Sequence, residues 1–400
     1  MRTIPAVLLC GALASAAGTV HAASGVGAAG RASLSLRSQP ETGPPASGAD
    51  EQPEVLDPEE IDGRLTEAAA LPLKISGRIQ FRYLASVRDT ASGRDPETGF
   101  TVNRVLLAIS HKVSGALSVY GELQVSRSTG AASLSNLFTT VRLGDGWSLR
   151  VGFFRPPFLR EQFVSSGRQL AVERSLVSSA LGQGLGTGVR VRWAPARWRV
   201  YAAVVDRGGD LGGDERWAAT GRIERLVKGR FSRLRDFSPE ARGRTAVLVG
   251  AATAYQFEDR DSGGPERTRL RWTGDVSFTT GRLAGMIYAT GTHLWRTDSG
   301  PSLDQYGLVA QAAWRVSDHW EVFGRGEFGL ADEAGGDLVV TTFGVNGYFF
   351  GRNAVKVSAD VSYAWTGVDA VWATTRAGFL TDDAGREGQL VIRAQLQLTF

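Results

Sequence analysis

From residue 73 to residue 400 the chain alternates apolar and polar side chains in stretch after stretch, and no helical segment intervenes to cover the apolar face. Its end shows the pattern plainly. Leu390, Ile392, Ala394, Leu396, Leu398 and Phe400 share one face; Gln389, Arg393, Gln395, Gln397 and Thr399 share the other, with Val391. A strand with one apolar face needs something to put against it. Sixteen such strands with no second layer are satisfied by closing on themselves, with lipid outside and water inside. The expected fold is therefore all-β: a transmembrane antiparallel up-and-down barrel of 16 strands. A soluble β-sandwich or solenoid with buried tryptophans is the alternative, but it leaves the apolar face of every strand without a partner layer.

The strands are expected at 73–87, 101–113, 116–127, 134–143, 147–155, 187–194, 198–206, 217–227, 244–258, 267–279, 282–296, 304–316, 320–331, 338–349, 354–366 and 388–400. Their connections alternate short and long. Ser114-Gly115, Gly144-Asp145-Gly146, Pro195-Ala196, Thr280-Gly281, Ser317-Asp318 and Gly351-Arg352-Asn353 have the residues of tight turns. Longer polar links near 88–100, 128–133, 156–186, 207–216, 259–266, 297–303, 332–337 and 367–387 separate them. Short periplasmic turns opposite long external loops are the asymmetry of a membrane barrel. One link breaks the rhythm: 228–243 should be a short periplasmic turn and is long, so the strand count could differ by a hairpin there. Eight of the ten tryptophans lie at strand ends, Trp272 and Trp372 excepted. An indole there keeps its ring in the headgroup layer and its N–H wet.

Met1-Arg2-Thr3, an apolar run from Ile4 to Ala17 and Val20-His21-Ala22 read as a signal peptide cleaved after Ala22. The run is shorter than the roughly 20 residues a membrane helix needs. Export without a spanning helix leaves a barrel as the route into a membrane, hence the bacterial outer membrane. Cys10 is the only cysteine; a lipoprotein site would want a small residue where Leu9 stands. The mature chain thus offers no disulfide and no thiolate. His21, His111, His293 and His319 are scattered, which argues against a catalytic or metal centre, and no cofactor is expected. Residues 23–72 are rich in Ala, Gly, Ser, Pro and Glu without hydrophobic period and read as a disordered periplasmic segment. The barrel domain is 73–400.

If apolar parity faces lipid, the lumen carries Lys74, Arg78, Arg82, Arg104, Arg150, Arg190, Arg192 and Arg271 among a basic majority, against Glu122, Glu224, Asp275, Glu321, Glu327 and Asp360. Basic side chains around a narrow aqueous passage favour anions. The other reading is that the arginines pair with these carboxylates and with loop backbone. The link 156–186 is much the longest. Pro156 and Pro157 end the strand ladder; beyond them Arg160, Arg168 and Arg174 mix with Glu161, Glu173, Phe163, Leu170, Leu176 and Val177. So amphipathic a loop is expected to fold into the barrel and narrow it, with Arg155, Arg160, Arg168 and Arg174 as candidate anion contacts; it could instead be an external lid or a contact between subunits.

The segment Val151-Gly-Phe-Phe-Arg-Pro-Pro-Phe-Leu-Arg-Glu-Gln-Phe-Val-Ser-Ser-Gly-Arg-Gln-Leu-Ala-Val-Glu-Arg-Ser-Leu-Val177 resembles the third-loop region of the phosphate-selective porins O and P. Trp320-Glu-Val-Phe-Gly-Arg325, Gly347-Tyr-Phe-Phe-Gly-Arg-Asn-Ala-Val-Lys356 and Arg393-Ala-Gln-Leu-Gln-Leu-Thr-Phe400 resemble later parts of the same family. The resemblance implies a homotrimeric sixteen-stranded porin with an infolded third loop and a basic pore. It also implies a final strand read, through Phe400, by the barrel assembly machinery, and a setting of outer-membrane lipid and lipopolysaccharide. The phosphate specialists of the family use a lysine cluster and a ladder of arginines. Here the mature chain has only Lys74, Lys112, Lys228 and Lys356, so the arginine part alone carries over.

Passive diffusion of small anions, phosphate or polyphosphate among them, is the expected function; nucleic acid is not an expected partner. A general or sugar-permeating porin is the nearest alternative. A plugged structural barrel or a barrel enzyme is a further one, the latter needing a Ser/His or Asp/His constellation that the scattered histidines do not supply.

Overall fold

The structure, a computed structural model, describes residues 73–90, 93–125, 130–206, 216–239, 243–258, 267–296, 303–332, 336–350, 354–382 and 387–400. The signal peptide and the segment 23–72 lie outside the described residues. The strands are β1 Leu73–Thr90, β2 Gly93–Lys112, β3 Leu117–Val125, β4 Ala132–Gly144, β5 Trp147–Phe154, β6 Gly186–Trp193, β7 Trp198–Asp206 and β8 Arg216–Lys228. They continue with β9 Gly243–Glu258, β10 Arg267–Gly281, β11 Leu283–Arg296, β12 Leu303–Arg315, β13 Trp320–Ala331, β14 Leu338–Phe349, β15 Val355–Ala364 and β16 Gln389–Thr399. Each is antiparallel to the next, and β1 pairs β16 to close the barrel.

Side-chain parity follows the sequence alternation. On β12, Tyr306, Leu308 and Ala310 are exposed while Val309, Gln311 and Ala313 are buried. Val204, Ile287 and Val322 point outward from their strands and are 57, 48 and 45 % exposed, as an apolar band facing lipid requires. Each lumen-side arginine avoids the cost of about 2–4 kcal/mol that a charge at the lipid midplane would carry. Trp147 stacks on Trp193 across β5 and β6, with ring centroids 5.8 Å apart, at the barrel rim. Of the two exceptional tryptophans, Trp272 faces outward over Gly291, and Trp372 is buried in the lumen.

Phe400 caps the end of the seam between β1 and β16, whose strands pair from Arg78↔Thr399 to Val87↔Leu390. Its backbone exchanges hydrogen bonds with Gly77 (2.9 and 3.1 Å). Its ring lies over that glycine, where a Cβ would stand 2.5 Å from the ring tip. An outward-facing glycine leaves backbone uncovered, and the aromatic ring covers it.

One expectation changes. The first external link is not a loop over 88–100: β2 begins at Gly93, and the hairpin continues in register to Thr90↔Gly93. The extension is held by charge pairs, Arg88 with Asp95 (3.3 Å) and Arg94 with Asp89 (3.5 Å), so it shows no apolar period. Pro96 is tolerated because β3 pairs with β2 only from Val105 to Lys112, leaving Pro96 on a free edge. The long link 228–243 adds no described strand; the barrel keeps sixteen, and 229–239 bend inward.

Candidate functional site

The Pro156-Pro157 pair ends β5, and the chain enters the lumen as two short helices, α1 Arg160–Phe163 and α2 Leu176–Leu181, joined by a 3-10 turn at Ser166–Arg168 and a series of bends. Ser175 caps α2 by accepting a hydrogen bond from Ser178 N–H (2.9 Å). Phe158, Leu159, Leu170, Leu176 and Val177 pack against inward side chains of the far wall, including Met286, Val309 and Val340. Val177 fits a hollow left by Gly307 on β12, where a Cβ would stand 2.3 Å from the valine methyl. An apolar core thus sits between a loop and a barrel wall, in a fold whose other apolar face meets lipid.

Polar contacts fix the loop on every side. Glu161 accepts from Ser175 N–H (2.9 Å), Ser175 Oγ (2.6 Å) and Tyr288 OH (2.8 Å). Glu327 and Asp360 of the wall accept from Leu176 N–H (2.6 Å) and Val172 N–H (2.8 Å). Glu173 is forked between Arg104 (2.6 Å) and Arg82 (2.9 Å). Burial opposes its charge, but the Arg104 and Arg82 guanidiniums outweigh that and hold the Glu173 carboxyl well below the usual carboxylate range.

The candidate arginines therefore fall into groups. Arg82 and Arg104 are buried on Glu173, and Arg78 donates to Ser165 Oγ (2.9 Å). Arg271 donates to Gln256 Oε1 (2.7 Å) within the wall. On the loop, Arg174 donates to Val164 O (2.9 Å), Arg155 to Gln183 O and Arg160 to Leu234 O. Arg168 is half-buried in the turn Ser166–Arg168. Lys74 is half-buried near the start of β1, opposite Ser110. Arg150, Arg190 and Arg192 come together on β5 and β6, with Arg150 directly opposite Arg190.

Those last three border open space. A cavity of about 250 Å³ is lined by Lys112, Arg142, Arg150, Arg190 and Arg192, together with His111, Tyr120 and Phe138; Asp145 is the only acidic residue on it. A second, of about 60 Å³, shares Arg150 and Arg190 and adds Arg155, Arg160, Arg199 and Arg235, with Glu224 its only acidic residue. The Arg150 guanidinium lies 3.8 Å over the Phe138 ring, which stacks on Tyr120.

Sequence reasoning missed a second infolded loop. Residues 365–382 turn inward after β15 and bury Val368, Trp372 and Phe379. Arg82 donates to Arg376 O (2.6 Å), and Arg393 donates to Ala377 O (2.9 Å) and pairs with Asp360 (2.6 Å). The signal was present: an external loop has no reason to carry Val368, Trp372 and Phe379. Among the described residues, no group of three or more His, Cys, Asp or Glu side chains is placed to hold a metal ion.

A model of the family "Phosphate-selective porin O and P" matches residues 73–400. No curated protein matches the chain. Among solved structures, the chain is similar to the anion-selective porin from Comamonas acidovorans, at 15 % identity over 82 % of this chain and 99 % of that one, with a TM-score of 0.60. It is also similar to a trimer form of OmpT, an outer-membrane protein of Vibrio cholerae (12 % identity, 82 % and 100 % covered, TM-score 0.56). The outer-membrane channel DcaP of Acinetobacter baumannii is a third (11 % identity, 82 % and 97 % covered, TM-score 0.54). At such identities the likeness speaks for the fold.

Proposed function

This chain belongs to the phosphate-selective porin O and P family, an outer-membrane porin by family and fold, and from that premise we propose that it passes small anions, phosphate among them, by passive diffusion. The observation that carries the reading is the charge around the two cavities, where basic side chains outnumber acidic ones on both. Guanidinium N–H groups would replace part of an anion's hydration by charge-assisted hydrogen bonds, each weak enough to release it. We assign this contact to Arg150, Arg155, Arg160, Arg190 and Arg192. Arg78, Arg82, Arg104 and Arg174, which bond loop groups and line neither cavity, would act as anchors, with Arg168 in the loop turn, Arg271 bonded to Gln256 within the wall and Lys74 near the start of β1.

The proposed assembly is a homotrimer inserted through its final strand by the barrel assembly machinery, in contact with lipid and lipopolysaccharide, and without enzymatic activity. The trimer form of OmpT from Vibrio cholerae, similar in fold, supports that assembly. A reversal-potential measurement in a planar bilayer under a KCl gradient tests the function. Chloride permeating better than potassium is the expected result; cation preference would overturn it. The stacked Tyr120–Phe138 rings beside the larger cavity favour sugar permeation as the second reading, for which open conductance with little charge preference is the expected outcome.

A further inference from the structure

The periplasmic link between β8 and β9 is too long for a turn, and its described part does not hang below the barrel. Gly229 redirects it: φ is +83°, and a Cβ there would stand 2.6 Å from Ala246 Cβ and Thr245 O, so only glycine turns the chain inward at this point. Phe231–Leu234 then form one 3-10 turn. Phe231 lies under the Arg199 guanidinium, 3.9 Å away. Leu234 packs with Leu226 and Leu248 of the wall. Phe237 is buried in the core of the infolded loop, and Ser238 Oγ donates to Glu321 (2.9 Å). Arg160 of the infolded loop reaches down to Leu234 O. The two inward segments thus meet, and the smaller cavity lies where they do: Leu159, Arg160 and Phe163 line it from the loop, Phe231, Leu234 and Arg235 from the turn.

Resting on the anion-porin reading, we infer that the turn 229–239 forms the lower lip of the selectivity constriction and that Arg235 is an anion-contacting, specificity-determining residue there. Arg235 is half-buried, faces the cavity and makes no hydrogen bond or ion pair among the described residues. The acid on that cavity, Glu224, is bonded to Arg222 at 2.9 Å and shares its charge with Arg160 and Arg199. A guanidinium so placed, beside Arg155 and Arg199 and in no ion pair among the described residues, suits a small oxyanion or halide in transit. The occupant has room for direct contact but not for a full hydration shell.

The test uses the full chain in planar bilayers at 0.1 M KCl. Arg235→Gln is expected to lower the chloride-to-potassium permeability ratio about two- to threefold, since pore-lining charge sets ion preference. Arg235→Lys should keep the ratio near that of the parent. Gly229→Val, which cannot follow the inward bend, should raise single-channel conductance. An anion-selective parent with an unchanged ratio in Arg235→Gln overturns the inference and leaves the porin reading standing. A parent without anion preference overturns both.

Discussion

At the scale of single residues, the lumen charges divide by partner rather than by position along the sequence. Glu173 shows how. It takes two guanidiniums, Arg82 and Arg104, and so ties the infolded loop to β1 and β2. Breaking a buried pair by removing one member costs about 3–5 kcal/mol, because the remaining charge stays buried. Glu173→Gln would leave two adjacent arginines without their carboxylate. The heat-unfolding midpoint of the folded barrel should fall markedly, and single-channel conductance should rise as the loop loosens. An unchanged midpoint would show that the fork does not hold the loop. The pH dependence has a definite sign. A carboxyl held low in the folded state contributes its full stability above its unfolded value of about 4.3, and loses it progressively as pH falls from there to the lower folded value. Conductance and protease resistance of the parent should therefore be the same at pH 7 and pH 5. Loss of either over that interval would contradict the assignment.

At the scale of elements, the strands were legible and the inward segments were legible only in part. Sixteen strands could be read because lipid on one side and water on the other force a period of two, as in the Leu390–Phe400 alternation. The β2 extension escaped because Arg94, Asp95 and Glu97 are held by charge pairs at a free edge, where no apolar partner is needed. The loop 156–186 was readable from its proline pair and apolar content. Its partners were not, since Glu327 and Asp360 reach it from more than 150 residues away. Two element-scale predictions follow from close approaches. Gly307→Val fills the hollow that receives Val177, so α2 should lose its seat; higher conductance with the barrel still folded is expected, and unchanged conductance would deny the contact its role. Deleting Phe400 uncovers Gly77 at the closing seam and removes two backbone hydrogen bonds. The yield of heat-modifiable barrel in the outer membrane should drop by more than the lost apolar area alone implies. A normal yield would mean that the seam closes without it.

At the scale of the whole molecule, a formal net charge of +4 says little, because the charges are unevenly spent. From β8 round to β1 the lumen holds buried ion pairs: Arg222 with Asp275 and Glu224, Arg325 with Glu327, Arg393 with Asp360. These hold the infolded loops against the wall. The strands β2 to β7 carry the basic side of both cavities, with Asp145 the only acidic lining residue from that stretch. One flank is thus cross-linked by buried ion pairs, and the other keeps its arginines beside the open space. A field of that kind acts through water and is screened by salt. The screening length is about 10 Å at 0.1 M and about 3 Å at 1 M. Between those concentrations the chloride-to-potassium permeability ratio should fall towards that of free solution, while conductance rises with the number of carriers. Selectivity built from desolvated contact would respond less, so the residual preference at 1 M measures how much selection comes from direct guanidinium contact. A ratio that does not change with salt would remove the field as the source of selectivity. The contacts at Arg150, Arg190 and the smaller cavity would then have to supply all of it.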